Sequence, residues 1–142
     1  MSPGSTKTGA VLEGMVLPAL KMGGYEYRIQ AKVGQRVGMG SHLVDVLASK
    51  DGVNIPISVK WQQVKGTVEQ KVPFELICLL DALEGEYYGQ KFARAYLVLG
   101  GEGWTLRNFY TSGGLQKHIN YAGKVEILTL EAFVGRANQG KL

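Results

Sequence analysis

The spacing of hydrophobic residues near the start of the chain predicts a helix followed by a strand. Apolar side chains recur at helical intervals through residues 11–20, and the pair Gly23-Gly24 ends the helix. Pro18 lies inside this pattern and is expected to bend or weaken the helix, because proline lacks an N–H and its ring crowds the preceding turn. Residues 25–33 then alternate between two faces, as the residues of a strand do.

A β-hairpin is predicted next. Residues 43–48 form a mostly apolar strand, residues 50–52 provide the turn, and residues 54–61 form the returning strand. Side chains alternate along a strand, so the polar residues Ser58 and Lys60 are expected on the same face of the returning strand.

The remaining pattern predicts a long helix, two further strands and a closing helix. Hydrophobic positions keep helical spacing over residues 68–83, with Pro73 near the start of that helix. Residues 93–99 and 124–128 are short apolar runs typical of strands, and a last helix begins at Leu130. This order of elements predicts an α/β fold with a mixed central β-sheet flanked by helices.

The composition is that of one globular domain. The chain has 142 residues, of which 45% are hydrophobic and 20% are charged, a balance typical of a packed fold and not of a disordered chain. Residues 1–8 are mostly small and polar and are predicted to form a flexible N-terminal arm. Residues 9–142 are then expected to form a single domain.

Charge, cysteine and histidine content and hydropathy limit the classes of function and location. The net charge of +4 favours a polyanionic partner without requiring one. The single cysteine, Cys78, lies in an apolar run and has no disulfide partner, which suits a reducing cytoplasm. His42 and His118 lack the further histidine or cysteine that a zinc site needs, so we expect them on the surface or in loops. No apolar stretch reaches the roughly 18 residues of a membrane helix, and we therefore expect a cytoplasmic protein with no membrane partner.

Two charged residues lie among apolar neighbours in the predicted hairpin. Asp45 is in the first strand, where an ionised carboxylate is costly unless a metal ion or a partner compensates it. Lys60 is in the returning strand, and the two side chains can lie on one face of adjacent strands. A carboxylate beside a cation suits metal-dependent hydrolysis of a phosphodiester. The alternative is a solvent-facing Asp–Lys pair.

The order of elements around these residues resembles the core of the PD-(D/E)XK nuclease superfamily, which has the restriction-endonuclease-like fold. Asp45 matches the first aspartate of the motif, although Val44 replaces the usual proline. Ser58-Val59-Lys60 matches the (D/E)-X-K element, with Ser58 standing where the family usually has a carboxylate. The resemblance implies a nuclease in which Asp45 binds the metal ion and Lys60 orients or activates the attacking water.

The serine at position 58 leaves this metal site one acid short. Some members of the superfamily with a Ser-Val-Lys strand carry the missing glutamate on the following helix, which implies Glu75 or Glu69 here. We favour Glu75 because it lies well inside the apolar face of the predicted helix. Glu13 is a third candidate, since the superfamily's first helix often turns a glutamate toward the metal, although a solvated helical glutamate explains it equally well. The implied cofactor is Mg²⁺, with Mn²⁺ as a substitute.

Other polar residues are candidates for catalysis or for DNA binding. Gln62 extends the motif to Lys-X-Gln, with which the superfamily can orient water or phosphate; the alternative is a polar strand end. The glycine-rich loop at residues 34–40 lacks the Gly-Lys-Ser/Thr end of a P-loop. We expect Arg36 in this loop to contact the DNA backbone, together with Lys32 and Lys65.

The resemblance implies a metal-dependent DNA endonuclease, site-specific and of homing or restriction type. A Holliday-junction resolvase acting on branched DNA is one alternative, because such enzymes are equally short and basic. Another alternative is a DNA-binding module that kept the fold and lost catalysis at Ser58, which is favoured if no helix glutamate reaches Asp45. Because a small nuclease must assemble to cut two strands, we expect self-association as a dimer or tetramer.

Overall fold

The protein is built on a five-stranded mixed sheet with helices on both faces. The computed structural model describes residues 7–38 and 40–142. The strands are β1 (Glu26–Gln35), β2 (Ser41–Lys50), β3 (Val53–Trp61), β4 (Ala95–Gly100) and β5 (Val125–Thr129). The α-helices are α1 (Lys7–Val11), α2 (Leu17–Met22), α3 (Lys71–Glu84), α4 (Arg107–Thr111) and α5 (Leu130–Asn138).

The strands lie side by side in their order along the chain, but their directions divide the sheet in two. β1, β2 and β3 are antiparallel neighbours, whereas β3, β4 and β5 are parallel. Parallel neighbours need a crossover connection, and α3 supplies it between β3 and β4. The expected α/β fold with a mixed sheet flanked by helices is confirmed.

β4 is the centre of the hydrophobic core because all six of its residues are buried. Tyr96 and Val98 face a cluster that includes Leu20 of α2 and Phe133 of α5. Their neighbours Leu97 and Leu99 face a second cluster formed with α3 and α4. A strand covered on both sides needs a continuous apolar run, which is what this segment has.

The first helix is longer and more distorted than the sequence predicts. Lys7 and Thr8, assigned to the predicted arm, lie in the first turn of α1. The remaining arm residues, 1–6, lie outside the described residues. Between α1 and α2 the helix widens into a π-helical turn over Leu12–Val16, in which the Leu17 N–H bonds to a carbonyl five residues back. The distortion therefore lies in the turn before Pro18.

Two predicted boundaries also move. β1 continues past Gly34 to Gln35, because a bulge between Lys32 and Gly34 lets the strand stay paired with β2. The long helix begins as a 3₁₀ turn over Val68–Gln70 and becomes α-helical only at Lys71. None of the helices in the described part of the chain is both long and apolar enough to cross a membrane.

Candidate active site

The site lies where β2 and β3 separate. The two strands are paired from the turn, where Lys50 lies opposite Val53, as far as Val46 opposite Ile57. Beyond that pair, β3 continues only against β4, up to Trp61 opposite Gly100. The result is a fork that opens between the two strands, and we call it the β2–β3 fork.

Asp45 is the first residue of β2 beyond the last pair. Its Oδ2 accepts a hydrogen bond of 2.7 Å from the backbone N–H of Val59, which takes the place of a ladder bond between the strands. Burial raises the pKa of Asp45 above its usual value, and the charge of Glu75 adds to this effect. The Val59 N–H and the nearby charge of Lys60 lower the pKa but do not cancel the increase.

Glu75 reaches the same place from α3. Its Oε2 accepts hydrogen bonds from the Ser58 hydroxyl at 2.5 Å and from His42 Nε2 at 2.9 Å, and Glu75 is only 9% exposed. Burial alone would raise the pKa of Glu75, but the bonds from His42 and Ser58 outweigh it and hold the pKa below its usual value. Glu75 is therefore ionised at neutral pH.

The expectation that His42 lies on the surface or in a loop is wrong. His42 is 1% exposed and belongs to β2, which begins at Ser41 and not at Leu43. It lies two residues before the buried Val44 and so points to the same side of the strand. Extending the alternation of β2 backward by two residues would have predicted this burial, although not the bond to Glu75.

One open cavity of about 410 Å³ brings the polar groups of the fork together. Its polar lining includes Gln30, Asp45, Ser58, Lys60, Lys71 and Glu75. Lys60 forms no direct salt bridge with any residue that the structure describes, so its ammonium remains available to a ligand. Two carboxylates and two ammonium groups thus face one solvent-accessible space.

The structure corrects the position expected for Gln62. β3 ends at Trp61, and the side chain of the next residue, Gln62, is buried and does not line the cavity. Its amide donates to the Gly103 carbonyl at 2.8 Å and accepts from the Glu69 N–H at 3.3 Å. Both ends of this amide hold neighbouring loops, and its burial outside the cavity keeps it from water or phosphate bound there.

Glu69, the second glutamate considered as a metal ligand, has a structural role instead. Its carboxylate accepts hydrogen bonds of 2.5 to 2.7 Å from the Thr105 N–H, the Thr105 hydroxyl and the Leu106 N–H. Burial opposes ionisation, but these bonds prevail and lower the pKa of Glu69. The carboxylate ties the start of α3 to the segment before α4 and does not line the cavity.

The remaining candidates also lie away from the cavity lining. Glu13 is exposed on the π-helical turn, so the structure does not bring it to Asp45. The expected DNA contacts Arg36, Lys32 and Lys65 are all exposed, as charged groups for a backbone contact should be. The cavity lining also includes Gln30, which nothing in the sequence pattern identified as a site residue.

The donor set at the fork fits a hard divalent cation. Asp45 and Glu75 supply carboxylate oxygens, the ligands that Mg²⁺ and Mn²⁺ prefer, and Mg²⁺ is commonly held by one or two carboxylates with water completing its shell. Within residues 7–38 and 40–142, no group of three His, Cys, Asp or Glu side chains forms a metal cluster. A bound ion would therefore need water or substrate oxygens as well.

Comparison with known proteins identifies a family that matches this chain. A family model described as the PD-(D/E)XK nuclease superfamily domain matches residues 4–141. The crystal structure of a protein of unknown function, AF1548, resembles 80% of this chain with 12% sequence identity and a TM-score of 0.48. The chain covers 54% of that protein, which is about half its length. No curated protein sequence matches the chain significantly.

The raised pKa of Asp45 leads to a prediction about the stability of the folded protein. The folded state binds the Asp45 proton more tightly than the unfolded state, so ionisation at neutral pH destabilises the fold. Asp45→Asn should therefore raise the free energy of unfolding at pH 7, because the amide oxygen can still accept the Val59 bond without a buried charge. The gain should shrink as the pH falls, and it should vanish below the ordinary carboxyl pKa of about 3.9.

Denaturant unfolding in EDTA at several pH values measures this effect. Asp81→Asn, an exposed position on α3, is the matched control and should leave the stability nearly unchanged. Equal stability of Asp45→Asn and the parent protein at pH 7 would contradict the prediction.

Proposed function

The chain belongs to the PD-(D/E)XK nuclease superfamily, and we propose that it is a metal-dependent endodeoxyribonuclease whose reaction centre contains Asp45, Glu75 and Lys60. Members of this superfamily generally use divalent metal ions. The observation that supports the proposal most strongly is the convergence of two carboxylates and an ammonium group on one open cavity at the β2–β3 fork. Superfamily membership points to nuclease activity in general, and the cavity supports a catalytic centre in this chain.

Asp45 and Glu75 are the proposed metal ligands, with Mg²⁺ as the ion and Mn²⁺ as a substitute. When bound, the ion would polarise the phosphoryl group and offset the charge that develops on it. Glu75 occupies the role of the carboxylate that Ser58 replaces, because the Ser58 hydroxyl contacts the Glu75 carboxylate directly. Because Glu75 also lines the cavity with Asp45, the arrangement argues against the inactive DNA-binding module, the alternative that is favoured if no helix glutamate reaches Asp45.

Ser58 and His42 are proposed to hold Glu75 in place. Both donate to the same oxygen, Oε2, and thereby restrict the rotation of the Glu75 side chain. Partners of this kind orient a ligand and are needed for full metal affinity. Their burial excludes water that would compete for the same carboxylate oxygen.

Lys60 is proposed to orient the attacking water and to stabilise the negative charge that forms around phosphorus. Its neighbour in the motif, Val59, contributes its backbone N–H to Asp45, so one strand segment positions both charged groups. A compact ammonium can approach the water closely, whereas a planar guanidinium occupies more space and cannot give up a proton.

DNA, double-stranded or branched, is the proposed substrate. The net charge of +4 and the cavity residue Lys71 favour a polyanion, and Arg36, Lys32 and Lys65 are proposed to contact phosphates outside the cavity. A site-specific enzyme of homing or restriction type must cut two strands, for which we propose a dimer or tetramer with one centre per strand.

Plasmid nicking with Mg²⁺, with Mn²⁺ and with EDTA tests the proposed activity. Asp45→Ala should abolish cleavage and leave DNA binding intact or improved, because it removes a metal ligand and a source of repulsion toward phosphate. Lys60→Ala and Lys60→Arg should both be inactive, while Lys91→Ala, an exposed lysine outside the cavity, should keep activity. Cleavage by Asp45→Ala would reject the assignment.

The same assay separates the classes of substrate. Linear DNA and a synthetic four-way junction are compared at equal concentration, and preference for the junction would indicate a resolvase. Binding to either substrate should weaken steeply as salt rises, since the lysines and arginines displace counterions from phosphates. Salt-independent binding would argue against a nucleic-acid substrate.

Glu75 and Glu69 should respond to the same substitution in opposite ways. Glu75→Gln should lower the cleavage rate on the order of 100-fold with little loss of stability, because an amide oxygen can still accept from Ser58 but lacks the charge for a metal. Glu69→Gln should retain cleavage but lower the free energy of unfolding by about 2 kcal/mol, because it weakens bonds to a charged acceptor. Cleavage rates and denaturant midpoints measure both, and full activity of Glu75→Gln would reject its role.

A carboxylate returned to the strand should replace the one on the helix. In the Glu75→Gln background, Ser58→Asp should recover part of the lost cleavage, because the Ser58 hydroxyl already lies against the Glu75 carboxylate. Circular dichroism first checks that the double variant folds. Activity that stays at the level of Glu75→Gln alone, in a folded protein, would indicate that the two positions do not serve one metal.

A further inference from the structure

β1 has an irregular backbone at Gln30. This residue has a φ of 49°, in the left-handed region that side chains other than glycine rarely adopt. Within the described residues, the other non-glycine residues with positive φ are Asp51, Tyr88 and Tyr121, and each lies in a turn. Gln30 alone in this group lies inside a strand.

The irregularity lies directly opposite Asp45. The β1–β2 ladder pairs Ile29 with Val46 and Ala31 with Val44, so Gln30 and Asp45 face each other between these pairs. They form no ladder pair themselves, although the register on both sides is unchanged. β2 is thus released from β1 at the same residue at which it separates from β3.

The Gln30 side chain is exposed and lines the cavity that also holds Asp45, Glu75 and Lys60. A left-handed non-glycine residue costs stability, and such strain persists mainly where the surrounding structure and the function require it. Glycine at this position would adopt the same backbone without strain. The presence of glutamine therefore suggests that the side chain, and not the turn of the backbone alone, serves the site.

We infer that Gln30 is a further substrate-contacting residue, whose carboxamide N–H donates a hydrogen bond to a phosphate oxygen of the bound DNA beside Asp45. The inference rests on the proposed function and adds a substrate-contacting residue to the proposed site. Glutamine is a common donor to phosphates, and its neutral amide can approach a phosphate without the repulsion that Asp45 and Glu75 exert. The amide expected to contact phosphate, Gln62, is buried outside the cavity, where it bonds to Gly103 and Glu69.

Substitutions at Gln30 separate the side chain from the backbone. Gln30→Gly should keep or raise the melting temperature because glycine accepts a positive φ, yet it should weaken the binding of a short DNA duplex about fivefold through loss of one hydrogen bond. Gln30→Glu should weaken binding further, about tenfold or more, because it places a negative charge beside the phosphate. Dissociation constants are measured by fluorescence anisotropy in EDTA at fixed salt, so that no cleavage occurs.

Gln35→Glu is the matched control. Gln35 is exposed on the same strand, and its substitution by glutamate makes the same change in charge. The Gln35 side chain does not line the cavity. Gln35→Glu should alter the dissociation constant less than about twofold, because the new charge lies outside the cavity, away from the phosphate that Gln30 is inferred to contact, and is screened by salt. An equal effect of Gln35→Glu and Gln30→Glu would overturn the inference, as would parent-like affinity of a folded Gln30→Gly.

This readout is independent of cleavage. A parent protein that binds the duplex but never cleaves it with Mg²⁺ or Mn²⁺ overturns the proposed endonuclease, while the affinities of the Gln30 variants still decide the phosphate contact. A parent protein that does not bind the duplex overturns both. In an active enzyme, Gln30→Gly should raise KM more than it lowers kcat, because it removes a binding contact and no metal ligand.

Discussion

The early separation of β2 from β3 is the constraint on which the candidate site depends. A buried backbone N–H that loses its ladder partner must find another acceptor, and the N–H of Val59 finds the carboxylate of Asp45. The break that opens the cavity therefore also fixes the direction of the Asp45 side chain. Because β3 remains paired with β4 on its other side, Ser58 and Lys60 stay rigidly placed while the space beside them is open.

The two carboxylates of the fork have opposite electrostatic environments. Burial raises the pKa of Asp45, whereas donors from Ser58 and His42 lower the pKa of Glu75, so Glu75 holds its charge more firmly. Carboxylates whose surroundings shift their pKa values apart are typical of sites with divided roles. A divalent cation would relieve the repulsion between them, which is consistent with the proposed use of a metal ion.

The segment from β3 to α3 contains two sets of polar contacts with different consequences. Gln62 and Glu69 use their side chains on the loop around Gly103 and Thr105, and these bonds set where α3 begins. With that start fixed, Glu75 lies on the helix face toward Ser58 and His42. The first set stabilises the frame, and the second set orients the proposed metal ligand.

The sequence by itself determined the elements whose pattern is local: the hairpin that carries Asp45 and Lys60, the apolar central strand, and the helix that carries Glu75. The two-residue alternation of strands and the roughly four-residue repeat of helices are enough to predict these elements. The resemblance to the nuclease superfamily followed from the order of the elements and the residues on them. Only the tertiary structure showed that Glu75 reaches the cavity while Glu69 does not, that His42 bonds to Glu75 and that Gln62 lies away from the cavity. Most of the partners that decide these positions lie 17 to 41 residues away along the chain, and Gln30 takes its backbone from a break in pairing between strands, so no local period contains the information.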